Sequence, residues 1–589
     1  MAAAPPLSQG LGYGIVLGLG FGFALGMMLI TFILKRYRNE VQTSEMFSTA
    51  GRTVKSGLVA SAVVSSWTWA ATLLQSSGVA YRYGVSGPFW YASGATVQIL
   101  LFATLAIELK RRAPNAHTFL EVIRARYGAC THIVFIVFGL MTNILVTAML
   151  LTGGSAVVNT LTGMPTAAAC FLLPIGVVAY TIFGGIKSTF ITDYIHTVII
   201  LVIIFIFAFT AYATSNVLGS PARVYDLLVE AGKAHPVSGN AQGSYLTMRS
   251  KEGAIFFVIN IVGNFGTVFL DCGYYNKAIA AHPVSALPGY VMGGLSWFAI
   301  PWLAATTMGL AALALETNPA FPTYPNRMSP SDAGVSMGYL YLLMGVIISS
   351  AVLPASLTLL WKDQNMIAAA VSPILGLATS LIAWLVTAKK QYGTLTVEST
   401  GANNPMLAGN VAALLSPLVY IPIFTYAFGR QNYDYVSMKE IQRGDDSDVA
   451  AANHVELELV PGSSGTDDDE TRMEEAKLFR ASRIAKIITA IMTISFLVLW
   501  PMPMYGTGYI FSKQFFTGWV VVGIIWLFGS SFAVGLYPLW EGRKSMVHTF
   551  KSIILEVSGK MRGPIQGSDG ESEEIEDPGK SGEKLSTKN

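Results

Sequence analysis

Residues 65–78, SSWTWAATLLQSSG, place two indoles, an amide and several hydroxyls inside an apolar run long enough to cross a bilayer. Trp67 and Trp69 lie well within this run, whereas tryptophans that anchor a membrane helix lie at its ends. An indole face can stack on a flat polar molecule, and hydroxyls and amides can both give and accept hydrogen bonds. We therefore predict an interrupted helix that lines a cavity for a small polar solute.

A second polar segment occurs five predicted spans later, in AIFFVINIVGNFGTVFLDCGYYNK. Four polar residues follow one helical face at spacings of three and four: Asn260, Asn264, Thr267 and Asp271. Such a stripe can hold helices together, but a carboxylate costs about 2.5–3.5 kcal/mol at the centre of a bilayer, which favours a functional role. Gly263 and Gly266 predict the position of a break. Two interrupted helices five spans apart indicate an inverted repeat.

Few other residues suggest catalysis, proton transfer or metal binding. Asp193 and His196, three residues apart in GGIKSTFITDYIHTVII, fit helix capping and a proton pathway equally well. Cys130, Cys170 and Cys272 have no metal-ligand spacing and cannot form a framework of paired bridges. No nucleophile and base stand at a diagnostic spacing, so we predict neither an enzyme nor a bound metal or cofactor.

The elements that position these residues are membrane helices. The chain has 589 residues, of which 52% are hydrophobic and 12% charged, against roughly 25% charged in soluble domains. We predict an all-α polytopic membrane protein in a lipid bilayer, and its net charge of +3 does not suggest nucleic acid. The thirteen predicted spans are 11–34, 56–78, 85–107, 129–151, 165–183, 189–214, 253–276, 284–312, 334–360, 366–387, 407–428, 482–503 and 513–538.

Basic residues predict the orientation. Five lysines and arginines fall between residues 35 and 55, in the first loop, and five between 110 and 126, in the third. Because basic loops stay in the cytosol, the N-terminus is expected outside and the C-terminus in the cytosol.

Four segments carry a resemblance to a known family: SSWTWAATLLQSSGVAYRYGVSGPFWYASG, GGIKSTFITDYIHTVII, NIVGNFGTVFLDCGYYNKAIAA and GYLYLLMGVIISSAVLPASLTLLWKDQN. The chain resembles the sodium:solute symporter superfamily and, within it, the urea active transporters of fungi and plants. This resemblance implies a LeuT-like core of two inverted repeats with extra N- and C-terminal helices. It also implies urea import across the plasma membrane, coupled to protons rather than sodium, with polyamines or short amides carried by some members.

The resemblance also assigns residues to a urea pocket, namely Trp67, Trp69, Tyr91, Asn260, Asn264, Thr267 and Asp271. Urea is a flat plate with N–H donors and one carbonyl, which suits indoles, amides and a carboxylate. Asp271 is the expected proton-linked carboxylate, and Asp193 and His196 are the other coupling candidates.

The chain departs from the family within NRMSPSDAGVSMGYLYLL, between spans eight and nine. Two family helices, about eighty residues with their loops, are missing where Asp332 is separated from Gly334 by one residue. Loss of an even number of helices keeps the downstream orientation but leaves the second repeat without the wall that faces Trp67 and Trp69. We therefore expect a shortened form that is compromised for coupled uptake. The alternatives are a non-transporting sensor or regulatory form, and a sodium-coupled transporter of another small solute.

The predicted organisation has eight parts. They are an N-terminal extra helix with a cytosolic loop (1–55), the first inverted repeat (56–214), an extracellular loop (215–252), the shortened second repeat (253–360), two further spans (361–428), an acidic disordered cytosolic loop (429–480), the last two spans (481–540) and a disordered cytosolic tail (541–589). Oligomeric state is not predicted.

Overall fold

The computed structural model of the chain describes residues 5–38, 43–327, 337–441 and 466–558. Within these ranges all regular elements are helical apart from isolated β-bridges, which confirms the all-α prediction. The α-helices are α1 Gln9–Arg38, α2 Ser44–Thr49, α3 Ser56–Trp67, α4 Ala70–Tyr83, α5 Ser86–Arg112, α6 Phe119–Tyr127, α7 Ala129–Thr162, α8 Thr166–Phe209, α9 Pro221–Ala234, α10 Lys251–Leu270, α11 Cys272–Ala280, α12 Ala286–Leu315, α13 Met337–Ile348, α14 Val352–Leu360, α15 Met366–Tyr392, α16 Val397–Gly401, α17 Asn403–Ala427, α18 Thr466–Ile494, α19 Pro501–Thr507, α20 Lys513–Ser531 and α21 Tyr537–Val557.

The number of membrane crossings depends on one long helix. In the described residues, eleven helical segments are long and apolar enough to cross a membrane, and the bent pair of α3 and α4 makes a twelfth, against thirteen predicted. The difference is the segment Thr166–Thr214, a single helical run of 49 residues with a kink, where two spans were predicted. A straight helix of that length would measure about 73 Å, more than twice the hydrocarbon thickness of about 30 Å. Gly185, with φ +57° and ψ −157°, interrupts it, and we divide it there into α8a (166–184) and α8b (186–209).

Close helix packing builds the centre of the bundle. Helix α12 packs along α3, α4 and α5, while α10 packs against α5. A Cβ atom added to Gly293 of α12 would lie 2.7 Å from the Cβ of Val63 and 2.9 Å from the carbonyl oxygen of Ala60. One added to Gly289 would lie 2.6 Å from Val59. Small residues four apart therefore bring the α12 backbone against α3, as at other membrane helix interfaces.

The outer helices turn large apolar side chains away from the bundle. Leu25, Ile144 and Phe171 are 65%, 66% and 79% exposed. Apolar exposure on this scale is unfavourable in water but not in lipid. The chain is therefore a multi-pass membrane protein.

Two segments predicted to be disordered are partly structured. Residues 435–440 form a 3₁₀ helix, and the ring of Tyr435 lies 3.6 Å beneath the guanidinium of Arg112, a cation–π contact that orders this end of the acidic loop. The other end belongs to α18, which starts at Thr466. Residues 442–465 lie outside the described residues.

The C-terminal helix α21 also replaces predicted disorder, over residues 541–557. Its Glu541 accepts hydrogen bonds from the Ser56 hydroxyl (2.7 Å) and the Gly57 backbone N–H (2.8 Å), at the start of α3. Its Glu556 forms an ion pair with Arg36 of α1. These contacts explain why the helix continues past the predicted span; the tail from residue 559 lies outside the described residues.

We predict that Gly293→Val destabilises the protein by about 1–3 kcal/mol, because the larger side chain must push α12 away from α3. The measurement is the thermal unfolding of the detergent-solubilised chain. Gly529→Val on α20 is the matched control, since no atom lies within 4 Å of a Cβ placed there. Equal loss of stability in both variants would contradict the close packing of α12 on α3.

Candidate functional site

The first interrupted helix breaks at the predicted indoles. Helix α3 ends at Trp67, α4 begins at Ala70, and the two are bent by 61°. Thr68 and Trp69 between them have non-helical backbone angles. The indoles of Trp67 and Trp69 stack at 6.2 Å with an interplanar angle of 3°.

Side chains satisfy the backbone groups that this break frees. The carbonyl oxygen of Ser66 accepts hydrogen bonds from the Trp69 indole N–H and from the Tyr274 hydroxyl (3.1 Å). The carbonyl oxygen of Trp67 accepts one from the Thr72 hydroxyl (2.8 Å). A break in a membrane helix persists only with such partners. Tyr274 belongs to α11, so part of the support for the first break comes from the second broken segment.

The second interruption lies at Asp271, between α10 and α11, and not at Gly263 and Gly266. Asp271 is extended, and its Oδ1 accepts a hydrogen bond from the Gly273 N–H (2.7 Å), capping α11. Both glycines lie within the continuous helix α10. A Cβ on Gly263 would meet Met344 at 2.8 Å, and one on Gly266 would meet the neighbouring α13–α14 segment. The predicted position was wrong because these glycines serve close packing.

The two breaks lie beside one cavity of about 720 Å³. Trp69 and Ser66 from the first break, and Asp271, Tyr274 and Lys277 from the second, line one side. Residues of helices α7 and α8 also line this cavity. Residues of the first loop and of the loop after α5 also line the cavity, among them Phe47, Ser48, His117 and Thr118, and we refer to this end of the cavity as its mouth. The volume falls in the range of small-molecule sites.

A buried ion network ties the two loops at the mouth together. Glu45 of α2 accepts a hydrogen bond from Thr49 (2.8 Å), lies 2.7 Å from the His117 imidazole and pairs with Arg52. Burial disfavours the charged carboxylate, but these hydrogen bonds and the guanidinium together hold the pKa of Glu45 below its ordinary value. The carboxylate therefore stays ionised at neutral pH.

The structure brings only some of the predicted pocket residues to this cavity. Trp69, Asp271 and the coupling candidate Asp193 line it, and Trp67 lies directly behind Trp69. His196 does not line it and instead meets Phe23 of α1 edge-on, with ring centroids 4.7 Å apart.

Four other predicted residues, Tyr91, Asn260, Asn264 and Thr267, form a buried polar layer instead. The Asn264 amide donates to Asn260 Oδ1 (2.8 Å) and to the Tyr341 hydroxyl (3.2 Å), and the Asn260 amide donates to the Tyr91 carbonyl (3.0 Å). The Thr267 hydroxyl donates to the Asn264 carbonyl (3.1 Å). The amide groups that were predicted to bind urea are therefore hydrogen-bonded within the protein.

An aromatic bridge connects this layer to the first break. The Trp297 ring lies 5.8 Å from Trp67 and 6.4 Å from Tyr91, and Tyr91 stacks on Tyr341 at 5.8 Å. The layer therefore supports the indoles without lining the cavity.

Sequence reasoning missed Lys277 and Tyr274. The predicted span ended at residue 276, which placed Lys277 in a loop, where a lysine carries no signal. Lys277 lies only six residues after Asp271, in the segment where a break was predicted. That short separation was the signal that could have placed Lys277 near the site.

The junction between α4 and α5 is tightly packed. Gly84, between α4 and α5, has φ +79°, and a Cβ there would lie 2.0 Å from the Tyr245 carbonyl oxygen. Only glycine fits this position. The Val85 N–H donates to the same oxygen (2.8 Å), so the loop after α8b packs over the junction of α4 and α5.

A multi-pass helical protein with two interrupted helices beside a solute-sized cavity has the construction of a secondary transporter. The sodium:solute symporter family matches residues 47–347. The chain is 51% identical to the probable urea active transporter 1 of Schizosaccharomyces pombe over 96% of both chains. It is 41% identical to a urea-proton symporter of Oryza sativa subsp. japonica over 91% of this chain and 85% of that protein. A solved Na⁺-coupled sialic acid symporter, in a substrate-bound outward-open state, aligns at 14% identity and a TM-score of 0.42 over 72% of this chain and 99% of that one.

This chain belongs to the sodium:solute symporter family. The family and these relatives are transporters, which confirms the prediction of a transporter rather than an enzyme.

The relatives contain residues that this chain lacks. The S. pombe alignment covers 655 positions, whereas 96% of 589 residues is about 565, so roughly 90 positions have no residue in this chain. For the rice protein the alignment covers 636 positions against about 536 residues, a difference of roughly 100. These differences agree in size with the predicted loss of two helices. The predicted junction at Asp332 and Gly334 lies outside the described residues.

We predict that Tyr341→Phe lowers stability by about 1–3 kcal/mol, because it removes a buried partner of the Asn260 and Asn264 amides. The measurement is thermal unfolding in detergent. Tyr426→Phe is the control, since that side chain on α17 is 57% exposed. A Tyr341→Phe chain as stable as the control would show that the amide layer does not depend on this hydroxyl.

Proposed function

We propose that this chain imports urea across the plasma membrane, driven by protons and working by alternating access. The observation that carries the proposal is that Trp69 and Asp271, one from each broken helix, line the same cavity. Identity of 51% to a probable urea active transporter and 41% to a urea-proton symporter supports the choice of solute and ion.

The chemistry of the two side chains suits urea. An indole offers an apolar face to the flat molecule, and a carboxylate can accept from two N–H groups. Asp271 uses Oδ1 to cap α11, which leaves Oδ2 for a donor in the cavity. Urea is far smaller than about 720 Å³, so the cavity is a vestibule to the binding position rather than a closed pocket.

The position of the mouth supports a direction. Its residues belong to loops rich in lysine and arginine, which we place in the cytosol. On this orientation the cavity opens inward, with the N-terminus outside and the C-terminus in the cytosol. The tightly packed junction at Gly84 then lies on the extracellular side.

Energetics permit one proton per urea. Concentrating neutral urea a hundredfold costs about 2.7 kcal/mol, while a proton crossing 100 mV releases about 2.3 kcal/mol. A pH difference of one unit adds about 1.4 kcal/mol. A single proton therefore suffices, with Asp271 and Asp193 as the candidate carriers.

We predict that Asp271→Asn lowers urea uptake at least about tenfold, because loss of a charged acceptor costs about 1.5–3 kcal/mol. The assay is labelled-urea uptake by cells without their own urea carrier, in acidic medium, corrected for surface expression. Asp226→Asn is the matched control, since Asp226 forms an exposed ion pair with Lys513 outside the cavity. Short amides and polyamines added as competitors define the range of solutes. Unchanged uptake in Asp271→Asn would exclude this carboxylate from the site.

We further propose that the missing helices limit uptake. Insertion of the corresponding two helices from the S. pombe relative between residues 332 and 334 should raise urea-dependent proton uptake at least about tenfold, because a broken helix needs its neighbours for stability. The control is insertion of a soluble linker of equal length. Equal rates in the original and restored chains would refute the expected impairment.

A further inference from the structure

A lysine ammonium group lies between the two broken helices. The ammonium group of Lys277, on α11, forms an ion pair with Asp193 of α8b and a hydrogen bond with the Ser66 hydroxyl of α3. It also donates to the carbonyl oxygen of Ala62, at 3.4 Å. The side chains of Lys277 and Asp193 are only 12% and 15% exposed. Three elements that meet at the cavity are therefore joined through one charged group.

Burying a charged ammonium group costs free energy unless its hydrogen-bonding and ion-pair partners stay in place. Ionisable residues inside a membrane pair with one another or with backbone carbonyls, and they mark ion and proton pathways. Oxygens at interrupted helices are also the usual ligands of a transported cation. Here the Lys277 ammonium group is already bound to the oxygens of Ser66 and Ala62. A side chain of the protein therefore supplies the cation at this interrupted helix.

From this geometry we infer that Lys277 is a positioning residue that couples proton binding at Asp193 to the arrangement of the two broken helices. With Asp193 ionised, the ion pair holds α11 against α3 and α8b, and the cavity stays open at its mouth. A proton from the extracellular side that binds the Asp193 carboxylate removes its charge and releases Lys277. Loss of that proton to the cavity restores the pair. The inference rests on the proposed proton-coupled uptake and assigns its coupling step.

Other titratable groups face the pair and must be separated from it experimentally. Asp271 and Tyr274 approach from α11, Tyr180 from α8a, His196 from α8b, and His117 lines the mouth. Of these, only Asp271 is a second carboxylate in the cavity. A neutral substitution at Lys277 leaves all five groups unchanged, which makes it the informative variant.

The test measures opening of the cavity without urea. Thr189 lines the cavity on α8b, so Thr189→Cys reports access for a membrane-impermeant thiol reagent applied at the mouth. Cys170→Ala and Cys272→Ala remove two native thiols, and exposed Cys130 remains as the internal reference for thiol ionisation. The full chain in proteoliposomes is labelled in an acidic buffer at about pH 5.5 and in a near-neutral buffer at about pH 7.5.

We expect the labelling of Thr189→Cys relative to Cys130 to be at least about threefold slower at the lower pH, because protonation shifts the population away from the open arrangement. Lys277→Met should abolish this pH dependence. Asp193→Asn, which mimics the protonated carboxyl with little change of shape, should fix labelling at the low-pH rate. Lys513→Met, which breaks the exposed pair with Asp226, should behave as the parent chain.

Three results would overturn the inference: pH-independent labelling in the parent chain, pH dependence that survives Lys277→Met, or pH dependence that survives Asp193→Asn. The isosteric Asp193→Asn variant keeps the test decisive if Lys277→Met does not fold. Labelling requires no urea and no flux. A chain that fails to transport urea would therefore refute the proposed function alone, and urea uptake with pH-independent labelling would refute the coupling role alone.

Discussion

Every interrupted helix in a membrane must find partners for the backbone groups it frees, and the centre of this protein is organised by that requirement. The carbonyl of Ser66 is satisfied by Trp69 and by Tyr274, while the Trp67 carbonyl is satisfied by Thr72. The second break is held by the Asp271 cap on α11. Because Tyr274 lies on α11 and bonds to α3, neither break is independent of the other.

The first break could be predicted from sequence, since indoles far from a helix end are costly unless they have a specific environment. The second was assigned to the right segment and the wrong residues. Glycine in a membrane helix can permit a break or allow a neighbouring helix to approach closely, and Gly263 and Gly266 allow close approach. To distinguish the two roles one must know which helix packs against the glycine, and a single sequence does not give that information.

The division of polar residues between cavity and core was equally beyond the sequence. Asn260 and Asn264 share a helical face with Asp271, as predicted, yet their amides bond to each other and to Tyr341. The Tyr341 hydroxyl comes from a helix seventy-seven residues beyond Asn264. A helical stripe predicts which side chains point the same way, but the break at Asp271 separates them into two environments. The pocket assignments for Asn260, Asn264 and Thr267 remain predictions from family resemblance.

The carboxylate of Glu541 joins the start of α3 to the last described helix of the chain. Since α3 ends at Trp67, one helix of twelve residues connects the C-terminal helix to the indole pair. A change at α21 that broke the Glu541 hydrogen bonds would therefore act on the first turn of the same helix whose last residue is Trp67.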